Sequence, residues 1–301
     1  PTYIPRELVV PNVSGRSCPI QAVGKEHHLF RATWAFNMFS GGWNKKGQLG
    51  RAANRSPSGY TGLSTPDELI VDPAAWGYSN ITAYIYAPYG EGYDPKYDNV
   101  TGGTSNITYF ENNNCDARLA AGDYFSMAVK RTGGHDALYI WGDNSEGQLG
   151  LSVVNKDNIV RRPAPLFSNI ESNDDIYKNS MSRYVSSTPV KDKITEIAAG
   201  RAHGLAVSES GTLYAWGANG KGQLTRAGAA NAVNDKVKSI PAPAGTKWLN
   251  VWAGSDRTIA LADDYNLYTW GDNKDGILGV GKSDDFIAEP VKLTFDIRPA
   301  N

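Results

Sequence analysis

A stretch of about a dozen residues recurs three times and constrains the fold more than any other feature of the sequence. It reads LYIWGDNSEGQLG from Leu138, LYAWGANGKGQL from Leu213 and LYTWGDNKDGILG from Leu267. A second signature precedes the three copies, reading LAAGDYFSMAV, IAAGRAHGLAV and VWAGSDRTIAL. Such repetition indicates a structural unit that buries its apolar surface by stacking on its neighbours.

Two further copies are visible upstream. AVGKEHHLF from Ala22 leads to GGWNKKGQLG from Gly41, and a weaker copy, AAWGYSNITAYIY from Ala74, lacks the Gly-Gln-Leu ending. A unit of about fifty residues therefore recurs five times within one domain spanning residues 1–301. The glycines that anchor these predicted units are Gly24, Gly77, Gly122, Gly200 and Gly254.

Each unit has the pattern of several short β-strands. Alternation places Leu138 and Ile140 on one face of a strand and Tyr139 and Trp141 on the other, so both faces are apolar. Sheets that are apolar on both faces must be covered on both sides, as in the blades of a β-propeller. We expect a tryptophan to anchor each unit except the second, at Trp43, Trp141, Trp216 and Trp270.

The stretch AAGRAHGLAVSESGTLYAWGANGKGQL resembles the repeat of the regulator-of-chromosome-condensation family. The resemblance implies a β-propeller, and members of the family mostly have seven blades. The five units here predict one all-β propeller of five blades, with six as the alternative. We expect the strand-like chain ends, RELVV near Arg6 and EPVKLTFDI from Glu289, to close the ring together. Two long insertions are predicted, over about residues 87–115 and 151–191.

No arrangement of residues in the sequence is typical of an enzyme, and we expect no catalytic residue, cofactor or metal ion. Nucleophile, phosphate-loop and zinc motifs are absent from the sequence. His27 and His203 occupy equivalent positions in two units, and the resemblance implies that such a histidine belongs to the packed repeat. The segments DNSEG from Asp143 and DNKDG from Asp272 lack the ligand spacing of a calcium loop and are interpreted as structural turns.

The tyrosines of the first insertion are the best candidates for contact with a partner. Rigid scaffolds tend to carry function on their loops, and tyrosine provides a large contact area with few rotatable bonds. Tyr89, Tyr93 and Tyr97 lie among Gly, Asn and Asp residues and are predicted to be exposed. The alternative is that tyrosines of this region fill the irregular second unit, as we expect for Tyr84 and Tyr86.

The overall charge argues against a nucleic-acid partner. Thirty Lys and Arg residues against 31 Asp and Glu give a formal net charge of −1, and nucleic-acid binding requires clustered basic residues. No apolar run is long enough to insert into a membrane, and no signal-like segment is visible, so a virion or a host cytoplasm is the favoured location. The two cysteines, Cys18 and Cys115, could pair or remain thiols.

These features predict a non-enzymatic protein that docks onto other proteins through its loops. The low cysteine content, the near-zero charge and the abundance of Asn, Tyr and Gly are typical of bacteriophage virion proteins, so capsid or tail proteins are the specific partners expected. The family resemblance implies two alternatives, a regulator of a GTPase and an inhibitor of another enzyme. A lectin is a further alternative, although loops that differ between units argue against equivalent sugar sites.

Overall fold

The computed structural model describes an all-β protein, which confirms the predicted fold class. The residues that it describes form four antiparallel sheets of four strands each, and each of these sheets is built from described strands that are consecutive in the chain. The described residues are 20–31, 38–42, 46–49, 79–80, 118–132, 135–151, 158–168, 192–225 and 234–294.

The strands follow the two repeated signatures. The first sheet contains β1 (Ile20–Val23), β2 (His27–Arg31), β3 (Met38–Gly42) and β4 (Ser79–Asn80). The second contains β5 (Arg118–Ala121), β6 (Phe125–Thr132), β7 (His135–Asp143) and β8 (Ile159–Ser168). The third contains β9 (Ile194–Ala199), β10 (His203–Ser208), β11 (Leu213–Gly217) and β12 (Asn234–Ile240). The fourth contains β13 (Trp248–Gly254), β14 (Arg257–Ala262), β15 (Leu267–Asp272) and β16 (Phe286–Lys292), with a single 3-10 turn at Lys274–Gly276.

The first strand of each sheet lies innermost, and these strands pack side by side in the order β1, β5, β9, β13. The anchoring glycines allow this close approach. A Cβ atom on Gly24 would lie 2.4 Å from the carbonyl oxygen of Gly122, and one on Gly122 would lie 2.5 Å from that of Gly200. Gly200 approaches the carbonyl oxygen of Ser255 in the same way, at 2.5 Å. Only glycine fits at these three positions, which explains the small residues of the first signature.

Each sheet has a forward face, turned toward the following sheet, and a rear face, turned toward the preceding one. Leu205 and Val207 lie on the forward face of the third sheet and pack against Trp270 on the rear face of the fourth. The second and third sheets meet in the same way, with Met127 against Trp216. These apolar contacts bury both faces of an inner sheet, as the sequence predicts.

A hydrogen bond from each tryptophan fixes the sheets to one another. The indole Nε1 of Trp141 donates to the carbonyl oxygen of Gln48 at 2.9 Å, and that of Trp216 donates to Gln148 at 3.0 Å. Trp270 repeats the contact with Gln223 at 2.9 Å. The Gly-Gln-Leu ending of one unit therefore accepts the tryptophan of the next unit, so the buried indole N–H keeps a partner.

The structure differs from the prediction in the neighbourhood of Gly77. Ser79 and Asn80 pair with β3 as the outer strand of the first sheet, whereas we had expected them to begin a unit of their own. The contact between Gly24 and Gly122 places the first two sheets side by side, with no sheet between them. Gly77 itself and Trp43 lie outside the described residues.

The expected closure of the ring by both chain ends stays a prediction. Glu289 lies in β16, which pairs with β15 of its own sheet, and Arg6 lies outside the described residues. The described part of the chain gives four sheets, so a count of five or six blades stays a prediction. Cys18 and Cys115 also lie outside the described residues, and their pairing stays open.

Candidate functional site

One end of the sheets gathers the turns that carry the ion pairs described below. The described turns from the first to the second strand and from the third to the fourth strand of a sheet lie at this end, which we call the turn end. Backbone hydrogen bonds join the two turns within a sheet, from Asp143 N to Tyr124 O at 2.9 Å and from Asp272 N to Asp256 O at 2.9 Å. The two turns of a sheet are therefore held to each other by the backbone.

The frame of each third-to-fourth-strand turn is the same in successive units. The side-chain oxygen of Asn144 accepts a hydrogen bond from the backbone N–H of Leu149 at 2.8 Å, and Asn219 does the same for Leu224 at 2.9 Å. A glycine with positive φ closes the turns at Gly147 and Gly222. The backbone of the turn is thus held independently of the residues at its tip.

The tips of these turns differ in charge while their frame is constant. Glu146, Lys221 and Asp275 occupy equivalent positions in the second, third and fourth sheets. The neighbouring positions hold Ser145, Gly220 and Lys274, all of which are exposed. This combination of a fixed backbone and variable exposed side chains can present different chemistry from each unit to a partner.

Ion pairs cross between sheets at the turn end. The guanidinium of Arg201 contacts Glu146 of the preceding sheet, with Nη2 2.9 Å from Oε2, and Asp256 of the following sheet, with Nε 3.1 Å from Oδ1. Further pairs of this kind join Lys46 with Asp143 and Lys221 with Asp272, both at 3.3 Å. Because acidic and basic groups alternate and pair, the described turn end does not concentrate positive charge for a polyanion.

Among the basic residues that lie in first-to-second-strand turns and contact the next sheet, Lys25 has the most exposed side chain. Its ammonium lies 5.3 Å from the centre of the Tyr124 ring and 4.0 Å from the Asp123 carboxylate. The Tyr124 side chain and the Asp123 carboxylate raise the pKa of Lys25 above its usual range. The group therefore stays cationic over the physiological range and remains open to a second acidic partner.

The two equivalent histidines are packed inside the repeat, as the sequence predicts. Nε2 of His27 lies 2.9 Å from the hydroxyl of Ser126, which itself donates to the carbonyl oxygen of Gln48. His203 makes the same contact with Thr258 at 3.3 Å. Since each hydroxyl gives its hydrogen to a carbonyl, the imidazole Nε2 carries a proton and donates to the hydroxyl oxygen.

Burial keeps both imidazoles neutral. It lowers the pKa of His27 to about 4 and that of His203 to about 3, with the nearby His28 and Arg201 charges adding to the effect. A neutral histidine that is sealed between two sheets has no access to a substrate. Its role is to connect one sheet to the hydroxyl of the next.

The Asp143 carboxylate, in the first of the two segments compared with a calcium loop, is satisfied within the protein. Asp143 is buried and accepts hydrogen bonds from Ser145 Oγ at 2.7 Å and Gln148 Nε2 at 3.2 Å, in addition to its pair with Lys46. Among the described residues, no group of three or more His, Cys, Asp or Glu side chains is placed to hold a metal ion. The same residues include no helix with the length and hydrophobicity of a membrane span.

The tyrosines predicted to contact a partner, Tyr89, Tyr93 and Tyr97, lie outside the described residues, so their role stays a prediction. Sequence reasoning missed the hydroxyls of Ser126 and Thr258 and the carbonyl of each Gly-Gln-Leu glutamine as links between sheets. The recurrence of Gln48, Gln148 and Gln223 marks the position of these links in the sequence. Because the acceptor is a main-chain oxygen, however, the residue type does not reveal that it accepts a hydrogen bond.

Comparison with known protein families identifies the repeat. Two family models, both described as the regulator of chromosome condensation (RCC1) repeat, match the chain, one over residues 117–148 and 194–223 and the other over 135–207. The matched segments coincide with the second and third sheets, in which the signatures and the sheet-to-sheet hydrogen bonds are complete.

Individual proteins give the same result. The chain is 30% identical over 183 residues to the RCC1 domain-containing protein RUG3, mitochondrial, of Arabidopsis thaliana, covering 60% of this chain and 34% of that protein. It is 29% identical over 185 residues to the human X-linked retinitis pigmentosa GTPase regulator, covering 60% of this chain and 15% of that protein. The chain thus spans about a third or less of the length of these relatives.

A solved structure shows the same fold. Prp20p from Saccharomyces cerevisiae, a protein described with its binding properties to Gsp1p and histones, superimposes with a TM-score of 0.57 at 19% sequence identity. The match covers 91% of this chain and 50% of that one. At this level of identity the likeness concerns the fold alone.

Proposed function

Because the chain is built from regulator of chromosome condensation (RCC1) repeats, we propose that it is a non-enzymatic scaffold that binds another protein through projecting turns and loops. The observation that carries the proposal is the contrast within the turns. Their frame is constant, with Asn144, Asn219 and Asn273 in the same role, whereas their exposed tips differ. A rigid support with variable side chains suits recognition of a protein surface.

The chemistry of the described residues supports binding over catalysis. The titratable groups with the largest downward pKa shifts are the sealed histidines His27 and His203, and the buried carboxylate of Asp143 is occupied by neighbours. A catalytic acid or base needs a perturbed pKa together with access to a substrate. These groups lack that access, so we propose that the protein acts by contact.

The test begins with identification of the partner and ends with defined variants. The chain is used as bait in its native source, captured proteins are identified by mass spectrometry, and the purified partner is titrated by calorimetry. Two sets of alanine variants are compared, the turn tips (Glu146, Lys221 and Asp275) and the loop tyrosines (Tyr89, Tyr93 and Tyr97). Alanine variants of Glu209 and Asp263, exposed at the opposite end of the sheets, are the matched control.

We expect at least one of the two test sets to weaken binding by about 2 kcal/mol or more, as interface hot spots do, and the control to change it little. If both sets bind the partner as the unmodified chain does, the proposed surface is wrong. If a purified partner binds only the control end, the turn end is not the interface.

A narrower form of this proposal is a bacteriophage virion protein that decorates a capsid or attaches to a tail. Its support is the composition, with two cysteines and a net charge of −1. The protein should then be present in purified particles at a constant ratio to the capsid protein. Its absence from purified particles would remove this form while leaving the general proposal standing.

Regulation of a GTPase is the second candidate, because one relative is named a GTPase regulator. The expected activity is faster release of bound nucleotide from a small GTPase. A panel of fluorescently loaded GTPases measures this directly, and unchanged release across the panel would exclude it.

A further inference from the structure

The forward face of the fourth sheet lies open, unlike the forward faces of the other three. Leu29, Met127 and Leu205 occupy equivalent positions on the first three sheets and are 1%, 0% and 0% exposed. Ile259 occupies this position on the fourth sheet and is 37% exposed. All four positions hold a large apolar side chain, but on the fourth sheet this side chain is not covered by a following sheet.

The neighbours of Ile259 extend the open face into an apolar patch. Trp252 lies directly opposite Ile259 in the strand register and is 45% exposed. In the second and third sheets its position holds a small, buried alanine, Ala120 or Ala198. Leu261 and Leu267 are paired next to them and are half-buried. Large apolar residues grouped on an exposed sheet face are typical of an interaction surface.

The inner strand of the fourth sheet is uncovered as well. A Cβ atom on Gly24, Gly122 or Gly200 would collide with the backbone of the following sheet, whereas one on Gly254 would find no atom within 4 Å. Among the described residues, β1 packs beside β5 and β13 packs beside β9, but β1 and β13 do not form a corresponding pair. Among the described strands, the four sheets therefore form a series whose two end faces have no described sheet packed against them.

The other free face is the rear face of the first sheet. Val23 pairs with His28 in the strand register, which is the relation of Ala199 to Gly204 on the rear face of the third sheet. Ala199 packs into the core between the second and third sheets, but Val23 is 71% exposed. An apolar side chain is thus exposed on this face as well.

The charges at the two ends are complementary. Within the chain, Glu146 at a turn tip pairs with Arg201, the residue that follows the anchoring glycine of the next sheet. The equivalent tip of the fourth sheet is Asp275, and the equivalent residue of the first sheet is Lys25. Both are exposed, and their charges are opposite. The junction between a fourth and a first sheet would therefore repeat the acid-to-base pairing seen inside the molecule.

We propose that the forward face of the fourth sheet binds the rear face of the first sheet of a second copy of this chain. The association is head to tail, so its two surfaces differ, and it forms a closed ring or an open series of copies according to the angle between them. Gly41 stands in the first sheet where the other described sheets have tryptophan, so this position offers no indole N–H to the junction. Because the association joins separate chains, it depends on protein concentration.

Analytical ultracentrifugation over a wide series of protein concentrations tests this proposal. We expect the unmodified chain to shift from monomer to larger species as the concentration rises. Ile259→Asp and Val23→Asp should each weaken the association at least about tenfold, because a carboxylate would be buried at the junction. Tyr265→Asp is the matched control, since Tyr265 is 50% exposed, between Ile259 and Val23, but lies in the turn between β14 and β15.

A mixing experiment identifies the head-to-tail geometry. Ile259→Asp keeps an intact first sheet and Val23→Asp keeps an intact fourth sheet, so each variant alone should be monomeric and their mixture should form a heterodimer. This recovery also shows that both variants are folded. The substitutions Lys25→Glu and Asp275→Lys should each weaken the association about fivefold. The chain with both substitutions should recover most of that loss, because the two charges are again opposite.

Three outcomes would overturn the proposal. They are a monomer at every concentration, an association that Val23→Asp leaves unchanged, and a mixture of the two variants that stays monomeric. An association lost in Ile259→Asp alone would indicate that two fourth sheets face each other, which is a different interface.

Discussion

The third and fourth sheets carry the same signatures but have different surroundings. Both have four strands in the same order, and their tryptophans make the same hydrogen bond to a preceding glutamine. The third sheet is covered on both faces, so Leu205 is sealed, whereas the fourth is covered on its rear face alone and leaves Ile259 open. The repeat signature therefore determines the strands, whereas burial of the forward face depends on the next sheet.

The largest expected effect tests this difference at one equivalent position. Leu205→Ala should lower the free energy of unfolding by about 2–5 kcal/mol, because it leaves a cavity between the third and fourth sheets. Ile259→Ala should cost about 1 kcal/mol or less in dilute solution, because its side chain already contacts water. Urea denaturation of both variants measures the two changes. Equal losses would contradict an open forward face on the fourth sheet.

A second, smaller effect concerns pH and the sealed histidines. In the unfolded chain a histidine has a pKa near 6.5, but burial lowers that of His27 to about 4 and that of His203 to about 3. The unfolded state therefore binds more protons between these values, and stability falls as the pH drops below 6.5. From pH 7 to pH 5 each histidine should contribute a loss of about 2 kcal/mol, measured from urea midpoints.

The chain supplies its own control for this pH effect. Phe125 occupies the equivalent position in the second sheet, where it packs against Gly122 as His203 packs against Gly200. His203→Phe should therefore fit the site and reduce the loss of stability between pH 7 and pH 5 by about half, since His27 remains. An unchanged pH dependence in this variant would show that other groups cause it.

The smallest expected effect distinguishes the charged turns of the same two sheets. Arg201→Gln removes the contacts to Glu146 and Asp256 and should cost about 1 kcal/mol or less, with a smaller loss at high salt, because the ion pairs are partly exposed. Asp275→Asn should not change stability in dilute protein. Thermal unfolding at low and high salt compares them. A salt-independent loss in Arg201→Gln would mean that packing, and not charge, is responsible.

The all-β fold and its repeated sheets could be predicted from the sequence because their signals are local. Tryptophan, glycine and Gly-Gln-Leu recur at fixed offsets, and the structure places Trp141, Trp216 and Trp270 at matching positions. The packed role of His27 and His203 followed from the same alignment. Each of these features depends on side chains that a unit carries itself or shares with the next unit.

The remaining features depend on contacts between segments distant in the chain. The outer strand of the first sheet comes from Ser79–Asn80, after a gap that no local pattern bridges, so AAWG at Ala74 resembled the small residues of an inner strand. The exposure of Ile259 depends on whether a fifth surface covers it, and its own residue type does not reveal this. The partner tyrosines stay untested for a related reason, because loop recognition depends on the partner.

The hydrogen bond between a tryptophan indole and a glutamine main-chain carbonyl has a consequence for the evolution of such repeat proteins. Its acceptor is a main-chain oxygen, which every residue type provides, so one unit does not need a particular predecessor. Ile277, which stands in the place of the glutamine in the fourth sheet, has the same main-chain oxygen. Duplication, loss or exchange of whole units can therefore preserve this hydrogen bond. The number of sheets can vary while the contact between neighbouring sheets stays the same.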